Sequence, residues 1–506
     1  YDPDMCARVL RLQLMPGSAQ SRRHGDWPTA EELDGEPCGV IMNWTGFPYT
    51  PPGETYVGPP IVLRCHEGGW REAGAIYRNY FTATFGVVDS SRHWLRRETA
   101  YLSTMFMLPE DNLLMTFKDI PQWAKCAADH GLTSVMISGW QIGGHDRGYP
   151  QYEPDPRLGT WEELEAGVAA CHELGLRVNF FVNIQTVDVS TDWYKDELHK
   201  YEMLDPAGAK YFIMGWGMGT LGARKLLTKA PLYELSPWHP EVRELLVTRF
   251  RRLAEIGADG LHLDKNFMHP LDFNPRLTTS PDRAMQQGML LCVREILEAC
   301  RAVNPEFCFS AENHWDGLLP YMDVFWWGLG PTLLKVMFPQ RVTTTAVTQP
   351  YDYNLVNCAV LGADNIMVAP ASWMRGMDYP PMQPLFRYIG EITRIRRELH
   401  DFVSRGELVD SHEPFFRQAV PEMNLAGTFA DAADAGWTVF RNIDTGKRAA
   451  VLANLGGDAL DVADLVFADN GDGTCQLYQP FEAVQETQLP VSLTIPAERM
   501  AFIVEG

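Results

Sequence analysis

The sequence predicts an α/β protein in which a (β/α)8 TIM barrel is flanked by an N-terminal β region and a C-terminal antiparallel β-sandwich. Two observations predict the barrel: eight short apolar runs lie between about residues 98 and 400, and helical patterns separate most of them. A third observation predicts the flanks, because strand-like segments joined by turn-forming residues occur on both sides of this region.

The barrel strands are predicted from apolar runs that are bounded by polar or turn-forming residues. Helical stretches end at Gly131, Gly175 and Gly257, and glycine is a common residue just after a helix. The sixth and seventh units carry the weakest helical signals. In chain order the predicted strands are residues 101–107, 134–137, 178–182, 260–264, 307–311, 324–327, 335–338 and 366–369.

The predicted domains follow from the places where the pattern changes. Residues 1–97 form an N-terminal β-rich region that ends in a helix, residues 98–401 form the barrel, and residues 402–506 form the sandwich. The chain begins without Met and without an apolar leader, so we expect its N-terminal region to be processed or truncated. Ten cysteines without a C-x-x-C motif are typical of reduced core thiols, which favours the cytoplasm and leaves secretion open.

The net charge of the chain argues against partners that are themselves negatively charged. The chain has 43 Lys and Arg against 65 Asp and Glu, a formal net charge of −22. Binding to nucleic acid or to an anionic membrane surface requires clustered positive charge, so we expect neither partner. The sequence leaves the oligomeric state open.

Two acidic residues end neighbouring predicted strands. Asp264 ends the fourth run and Glu312 follows the fifth, and a barrel places its catalytic residues at these C-terminal strand ends. Two carboxyl groups that face each other across a few ångströms are what a glycosidase requires. The structural alternative is that Asp264 caps a loop and Glu312 forms an ion pair. The adjacent positions favour a catalytic pair and therefore a carbohydrate substrate.

The loop after the second strand adds candidate substrate contacts. An aromatic ring such as Trp140 can stack on the CH face of a sugar, and a carboxylate such as Asp146 can accept bonds from its hydroxyl groups. Side-chain alternation predicts that His262 shares the face of Asp264 and that Lys265 points away from Asp264. The further candidates for substrate contact are His262, Lys265, Trp315 after strand five and Arg341 after strand seven.

Residues 257–264, followed by Phe309-Ser310-Ala311-Glu312-Asn313, resemble retaining α-glycosidases of the α-amylase-like superfamily. Within that superfamily they look most like the endo-α-N-acetylgalactosaminidase and α-N-acetylgalactosaminidase group. The resemblance covers the barrel and implies that Asp264 is the nucleophile and Glu312 the general acid/base. It also implies cleavage of α-glycosidic bonds with retention of configuration. Where α-amylases have Arg two residues before the nucleophile, this chain has His262, which argues against the amylase family proper.

Two other classes of protein remain open from the sequence. A metal-dependent barrel hydrolase would use His262, Asp264, Glu312 and His314 as ligands. The second open class is a non-catalytic carbohydrate-binding protein. A Schiff-base role for Lys265 is a further, weaker alternative. The acid pair itself needs no cofactor, so we expect no cofactor and no metal.

Overall fold

A computed structural model gives the structure of the chain. It describes residues 5–16, 31, 34–35, 38–86, 94–108, 112–215, 231–266, 269–312, 315–326, 334, 337–338, 341–412, 425–426, 434–467 and 473–506. Among these residues, no helix has the length and apolar character needed to cross a bilayer.

The centre of the fold is a closed barrel of eight parallel strands, which confirms the predicted fold class. Each strand pairs with the next in the chain, and the eighth pairs with the first. In chain order the barrel strands are Ala100–Met105, Ser134–Ser138, Arg177–Asn183, Gly260–Asp264, Cys308–Ala311, Val324–Trp326, Val342–Val347 and Asn365–Val368.

Helices alternate with these strands. Gly131, Gly175 and Gly257 all have positive φ angles just after helices, so each glycine turns the chain toward the next strand without a steric cost. The α-helices are Trp70–Phe85, Ile120–Asp129, Trp161–Glu173, Asp192–Asp196, Pro240–Glu255, Pro281–Arg301, Tyr353–Leu361 and Gln383–Glu398, and Pro370–Trp373 is a short turn with left-handed residues. Single helical turns of other types are Trp94–Arg96, Phe117–Asp119, Leu198–Tyr201, Asp316–Leu318, Pro380–Met382 and His400–Ser404.

Side chains of the barrel strands alternate between two layers. Met136 and Phe181 lie in an inner cluster with Trp326, whereas Val135 and Phe180 belong to the larger core that the helices cover. A one-residue change of register would exchange the two layers. This alternation decides which residues near the strand ends enter the barrel.

The seventh strand was predicted in the wrong place. The prediction put it at residues 335–338, but the strand is Val342–Val347, and residues 335–336 lie outside the described part of the chain. Three consecutive threonines make this strand look polar in sequence, although their β-branched side chains suit a strand. The apolar character that marks the other strands is therefore missing here.

The flanking strands pair antiparallel. In the N-terminal region Arg8–Pro16 pairs with Cys38–Gly46. The C-terminal region has a six-stranded and a three-stranded sheet, which enclose a core that includes Trp437, Val462 and Ile503. The strands of this region are Glu407–His412, Leu425–Ala426, Ala435–Arg441, Arg448–Asn454, Leu460–Phe467, Gly473–Tyr478, Gln485–Leu489, Val491–Ile495 and Met500–Glu505. The domain boundaries given above remain predictions.

Short additional strands stand beside the barrel. Met107–Leu108 pairs with Asn112–Leu113, and Thr186–Asp188, Pro231–Glu234 and Phe212–Met214 form a three-stranded antiparallel sheet in that spatial order. We call the second group the mouth sheet. It begins three residues after the third barrel strand ends, so it stands at the C-terminal end of the barrel.

A buried acid lies at the opposite, N-terminal end of the barrel. Glu98 precedes the first strand, is 3% exposed, accepts a hydrogen bond from Asn365 Nδ2 at 3.0 Å and contacts the Ser134 hydroxyl. Burial raises the pKa of Glu98 to about 8, although both hydrogen bonds favour its ionised form. The native protein therefore holds Glu98 protonated at neutral pH.

This carboxyl group makes stability depend on pH. An unfolded chain ionises Glu98 near pH 4.5, whereas the native state does so only near pH 8, so the native state loses stability as pH rises between these values. We expect Glu98→Gln to be more stable than the wild type at pH 8, with a difference that shrinks toward pH 5. Each unit of pKa displacement corresponds to about 1.4 kcal/mol. Urea unfolding at pH 5, 6.5 and 8 measures the difference.

The matched control is Glu298→Gln, since the Glu298 side chain is 71% exposed. Its effect on the free energy of unfolding should stay constant across the three pH values. If Glu98→Gln also changed the free energy of unfolding by the same amount at all three pH values, Glu98 would not be a buried protonated acid.

Candidate active site

The backbone brings the two predicted catalytic acids together. Leu263 pairs with Ala311 in the parallel ladder, and the Glu312 amide donates to the Leu263 carbonyl at 3.4 Å. Asp264 and Glu312 therefore occupy adjacent positions at the ends of strands four and five. Their carboxyl groups form a direct hydrogen bond.

The two carboxyl groups have opposite pKa shifts. Burial opposes ionisation of Asp264, but the Lys265 ammonium and hydrogen bonds from Glu312 and Lys265 outweigh it and hold the Asp264 pKa well below its ordinary value. Burial, the hydrogen bond to Asp264 and the charge of Asp264 raise the pKa of Glu312 to about 9. At neutral pH one member is therefore a carboxylate and the other a carboxylic acid.

Lys265 lies between two carboxylates, so the prediction that it points away from Asp264 is wrong. Its Nζ atom is 2.5 Å from Asp264 Oδ2 and 2.7 Å from Asp146 Oδ1. Burial works against its charge, but the carboxylates of Asp146 and Asp264 more than compensate and raise the Lys265 pKa. Lys265 follows the last strand residue and has a φ of +48°, where strand alternation no longer applies.

Asp146 completes this ion triad from the loop after strand two. It is 1% exposed, and its φ is +55°, so two non-glycine residues of the triad have left-handed backbone conformations. Its backbone amide donates to the Tyr149 hydroxyl at 3.2 Å, and His145 Nε2 is 3.9 Å from its Oδ2 atom. Burial lowers the pKa of His145, which favours a neutral ring.

His145 and Tyr149 lie closer to this centre than the sequence indicated. The sequence places them in one loop with Asp146, but its loop pattern does not say which side chains turn inward. Gly144 and Gly148 have positive φ angles on either side of Asp146. These glycines bend the loop so that both rings approach Asp146.

His262 lies inside the barrel beneath the pair, on the face predicted for it. Its ring stacks on Trp326 with centroids 3.5 Å apart, and its Nδ1 atom is 2.8 Å from the Ser310 hydroxyl oxygen. Burial lowers the pKa of His262 to about 3 despite the nearby Asp264 carboxylate. His262 is therefore a neutral ring in the wall of the site, and its substrate contact stays a prediction.

Trp140 is a core residue, so the prediction that its ring stacks on a sugar is wrong. It is 0% exposed and packs against Phe180, Tyr152 and Trp161 in the layer between the barrel and its helices. Continued strand alternation would turn it into the barrel, but Gly139 has a φ of +63° and ends the strand geometry. The tryptophan consequently turns outward.

Arg341 is also misplaced by the sequence prediction. It directly precedes strand seven instead of following it, so it lies at the end of the barrel opposite to Asp264. It is fully buried and donates to the Met322 carbonyl, which excludes substrate contact there. The error follows from the displaced seventh strand.

Trp315 lies on the expected side of the barrel, just before the turn Asp316–Leu318. Its ring covers Gly317, where an added Cβ atom would lie 2.4 Å from the ring. It is half-buried against the main core, so part of the ring is accessible and its substrate contact stays a prediction.

The structure describes three of the four residues that were predicted as alternative metal ligands. His314 lies outside the described residues. Among the residues that the structure describes, no group of three or more His, Cys, Asp or Glu side chains has an arrangement that could hold a metal ion. The free thiols among the described residues are Cys6, Cys65, Cys126, Cys171, Cys292, Cys300, Cys308, Cys358 and Cys475.

The closed barrel thus brings two acids together at the ends of strands four and five. The chain matches a family model described as "Domain of unknown function (DUF6259)" over residues 57–329, more than half of its length. The chain belongs to this family. A comparison with curated proteins found no match.

Solved structures of glycoside hydrolases share the fold. A variant of the GH36 alpha-galactosidase AgaA from Geobacillus stearothermophilus in complex with raffinose is 12% identical with a TM-score of 0.57, covering 93% of this chain and 60% of that one. The alpha-galactosidase from Lactobacillus brevis is 13% identical with a TM-score of 0.58, covering 93% and 60%. The alpha-amylase from Geobacillus thermoleovorans complexed with acarbose is 14% identical with a TM-score of 0.53, covering 82% and 100%.

The chain thus spans about 60% of the length of the alpha-galactosidases. These likenesses support an α-glycosidase-like barrel, and they do not single out the N-acetylgalactosaminidase group that the sequence resembles. That finer assignment stays a prediction.

The ion triad leads to a stability test. Lys265→Met leaves Asp146 and Asp264 buried side by side without their shared cation, and breaking a buried ion pair costs about 3–5 kcal/mol. The loss should be largest near pH 7 and shrink as pH falls toward 4, because protonation then removes the unpaired charges. Urea unfolding of the variant and the wild type at both pH values measures it.

Lys125→Met is the control, because Lys125 forms an ion pair of 2.6 Å with Asp129 in which both side chains are more than half exposed. Solvent screening should leave the unfolding free energy of this variant almost unchanged. Equal losses in the two variants would contradict a special role of burial.

Proposed function

We propose that the chain is a retaining glycoside hydrolase that cleaves α-glycosidic bonds. The observation that carries the proposal is the directly hydrogen-bonded pair of Asp264, held ionised, and Glu312, held protonated. A glycosidase needs one carboxylate to attack the anomeric carbon and one acid to protonate the leaving oxygen. The pKa shifts supply these two states at neutral pH.

The contact between the acids favours retention. An inverting enzyme keeps its carboxyl groups about 6.5–9.5 Å apart so that a water molecule fits beside the sugar, whereas retaining enzymes have about 5–5.5 Å. Two carboxyl groups that form a hydrogen bond leave no room for such a water. With a sugar bound between them, we expect the separation to reach the retaining value.

The mechanism assigns a role to each residue of the centre. Asp264 attacks the anomeric carbon and forms a glycosyl-enzyme while Glu312 gives its proton to the departing oxygen. Glu312, now ionised, then takes a proton from the water that hydrolyses this intermediate. Lys265 keeps Asp264 ionised before attack, and the buried Asp146 carboxylate in turn holds the Lys265 ammonium beside Asp264.

The α-configuration rests on the resemblance of the strand-four and strand-five segments and on the glycosidases that share the fold. Galactose, glucose and N-acetylgalactosamine are the sugars to compare. The substrate is a carbohydrate, and whether the enzyme acts on chain ends or within chains depends on contacts beyond the pair.

A panel of nitrophenyl α- and β-glycosides of these sugars tests the proposal. We expect turnover of α-glycosides only, and NMR of the first-formed sugar should show the α-anomer. A first-formed β-anomer would contradict retention, and the absence of turnover across the panel and on raffinose would contradict the proposed function.

Two variants assign the roles within the same experiment. Asp264→Ala should abolish turnover of every substrate, because nothing replaces the nucleophile. Glu312→Ala should spare the first step for nitrophenyl substrates, since nitrophenolate departs without a proton, and azide should release the sugar as a glycosyl azide. General acid–base help is worth about 10²–10⁴-fold, which sets the loss for poor leaving groups. Azide rescue of Asp264→Ala alone would show that Glu312 is not the acid/base.

The pH profile forms a separate prediction. Because Glu312 acts in its protonated form and its pKa is about 9, kcat/KM should hold through neutral pH and fall above about pH 9. The fall should be steeper for an alkyl glycoside than for a dinitrophenyl glycoside, whose leaving group needs no proton. An alkaline fall already centred at pH 5–6 would show that Asp264 does not hold this proton on Glu312.

A further inference from the structure

The mouth sheet fixes two aromatic rings at the catalytic end of the barrel. Tyr211 directly precedes its strand Phe212–Met214, and His269 lies in the loop after barrel strand four. The two rings stack with centroids 4.3 Å apart and an interplanar angle of 16°. Residues from two separate segments of the chain thus form one face-to-face aromatic stack, in which each ring covers one face of the other.

A buried carboxylate holds this stack in place. His269 Nδ1 is 2.6 Å from Glu234 Oε1, and the other oxygen of Glu234 accepts a hydrogen bond from Gln185 Nε2 at 3.0 Å. Glu234 is 0% exposed, whereas the His269 side chain is 39% exposed and Tyr211 is half-buried. The anchor is therefore internal and the rings reach the surface.

Chain connectivity limits the distance between the stack and the catalytic pair. His269 is five residues beyond Asp264, a span of at most about 18 Å. Gly215, four residues beyond Tyr211, packs against Asp146 so closely that an added Cβ atom would lie 2.9 Å from the Asp146 Cβ atom. The segment of His269 is thus connected to Asp264 through the chain, and the segment of Tyr211 packs against Asp146.

We propose that Tyr211 and His269 form a second carbohydrate subsite, which binds a sugar unit of an oligosaccharide remote from the bond that is cleaved. This inference rests on the proposed function. A partly exposed flat ring suits the CH face of a sugar. Asp205, Asp272 and Glu234 lie near enough to Tyr211 to raise the pKa of its hydroxyl group together with burial, so this hydroxyl stays protonated and can donate to a sugar oxygen.

The subsite predicts a dependence on substrate length. Stachyose and nitrophenyl α-galactoside are the paired probes, with maltotetraose and nitrophenyl α-glucoside as the pair if the panel selects glucose. Tyr211→Ala should lower the ratio of kcat/KM for the oligosaccharide to that for the aryl glycoside by about three- to tenfold, the effect of one aromatic contact. Tyr211→Phe keeps the ring and should keep the ratio.

Phe481→Ala is the matched control, because Phe481 is a 61% exposed ring in the C-terminal region. Its ratio should equal that of the wild type. An unchanged ratio in Tyr211→Ala, or equal losses for both probes, would overturn the subsite and leave the proposed function standing.

A binding measurement separates the two proposals. In Asp264→Ala, which turns over no substrate, titration with the oligosaccharide should shift the NMR signals of the His269 ring, and adding Tyr211→Ala should weaken that binding. Binding without turnover by the wild type would support the subsite and reject the hydrolase. If the His269 signals do not move at saturating oligosaccharide, the subsite is refuted.

Discussion

The buried ammonium of Lys265 is the interaction on which the rest of the site depends. It lies within hydrogen-bond distance of Asp146 and Asp264, and all three groups are almost excluded from water. Without this cation, the buried carboxylates of Asp146 and Asp264 would repel each other in a medium of low polarity. With it, Asp264 stays ionised, and its charge in turn keeps the proton on Glu312.

Much of the fold could be predicted because its signals are local. Gly131, Gly175 and Gly257 mark helix ends, and seven of the eight barrel strands lie at or within a residue or two of their predicted positions. The seventh failed because Val342–Val347 gains its strand character from β-branching and not from apolarity. The positions of Asp264 and Glu312 followed from strand order alone, since parallel neighbours end at the same edge.

The remaining parts of the site depend on backbone conformations that sequence patterns do not reveal. Gly139 turns Trp140 away from the barrel, and the left-handed conformation of Lys265 turns its side chain back to Asp264. Rules of alternation hold within a strand and fail one residue beyond it. The stack of Tyr211 on His269 joins segments that are 58 positions apart in the chain, 269 − 211, so no local pattern could have indicated it.

The conformation of Lys265 also means that Asp264, the proposed nucleophile, and its counter-ion move together. Because the two charges sit on consecutive residues, sliding or tilting of strand four carries them together and leaves their spacing intact. Asp146 belongs to a different loop. The same displacement would therefore lengthen only the contact between Lys265 Nζ and Asp146 Oδ1. Substitutions in the outer shell of the barrel would therefore change the distance from Lys265 to Asp146 before they change the ion pair that keeps Asp264 charged.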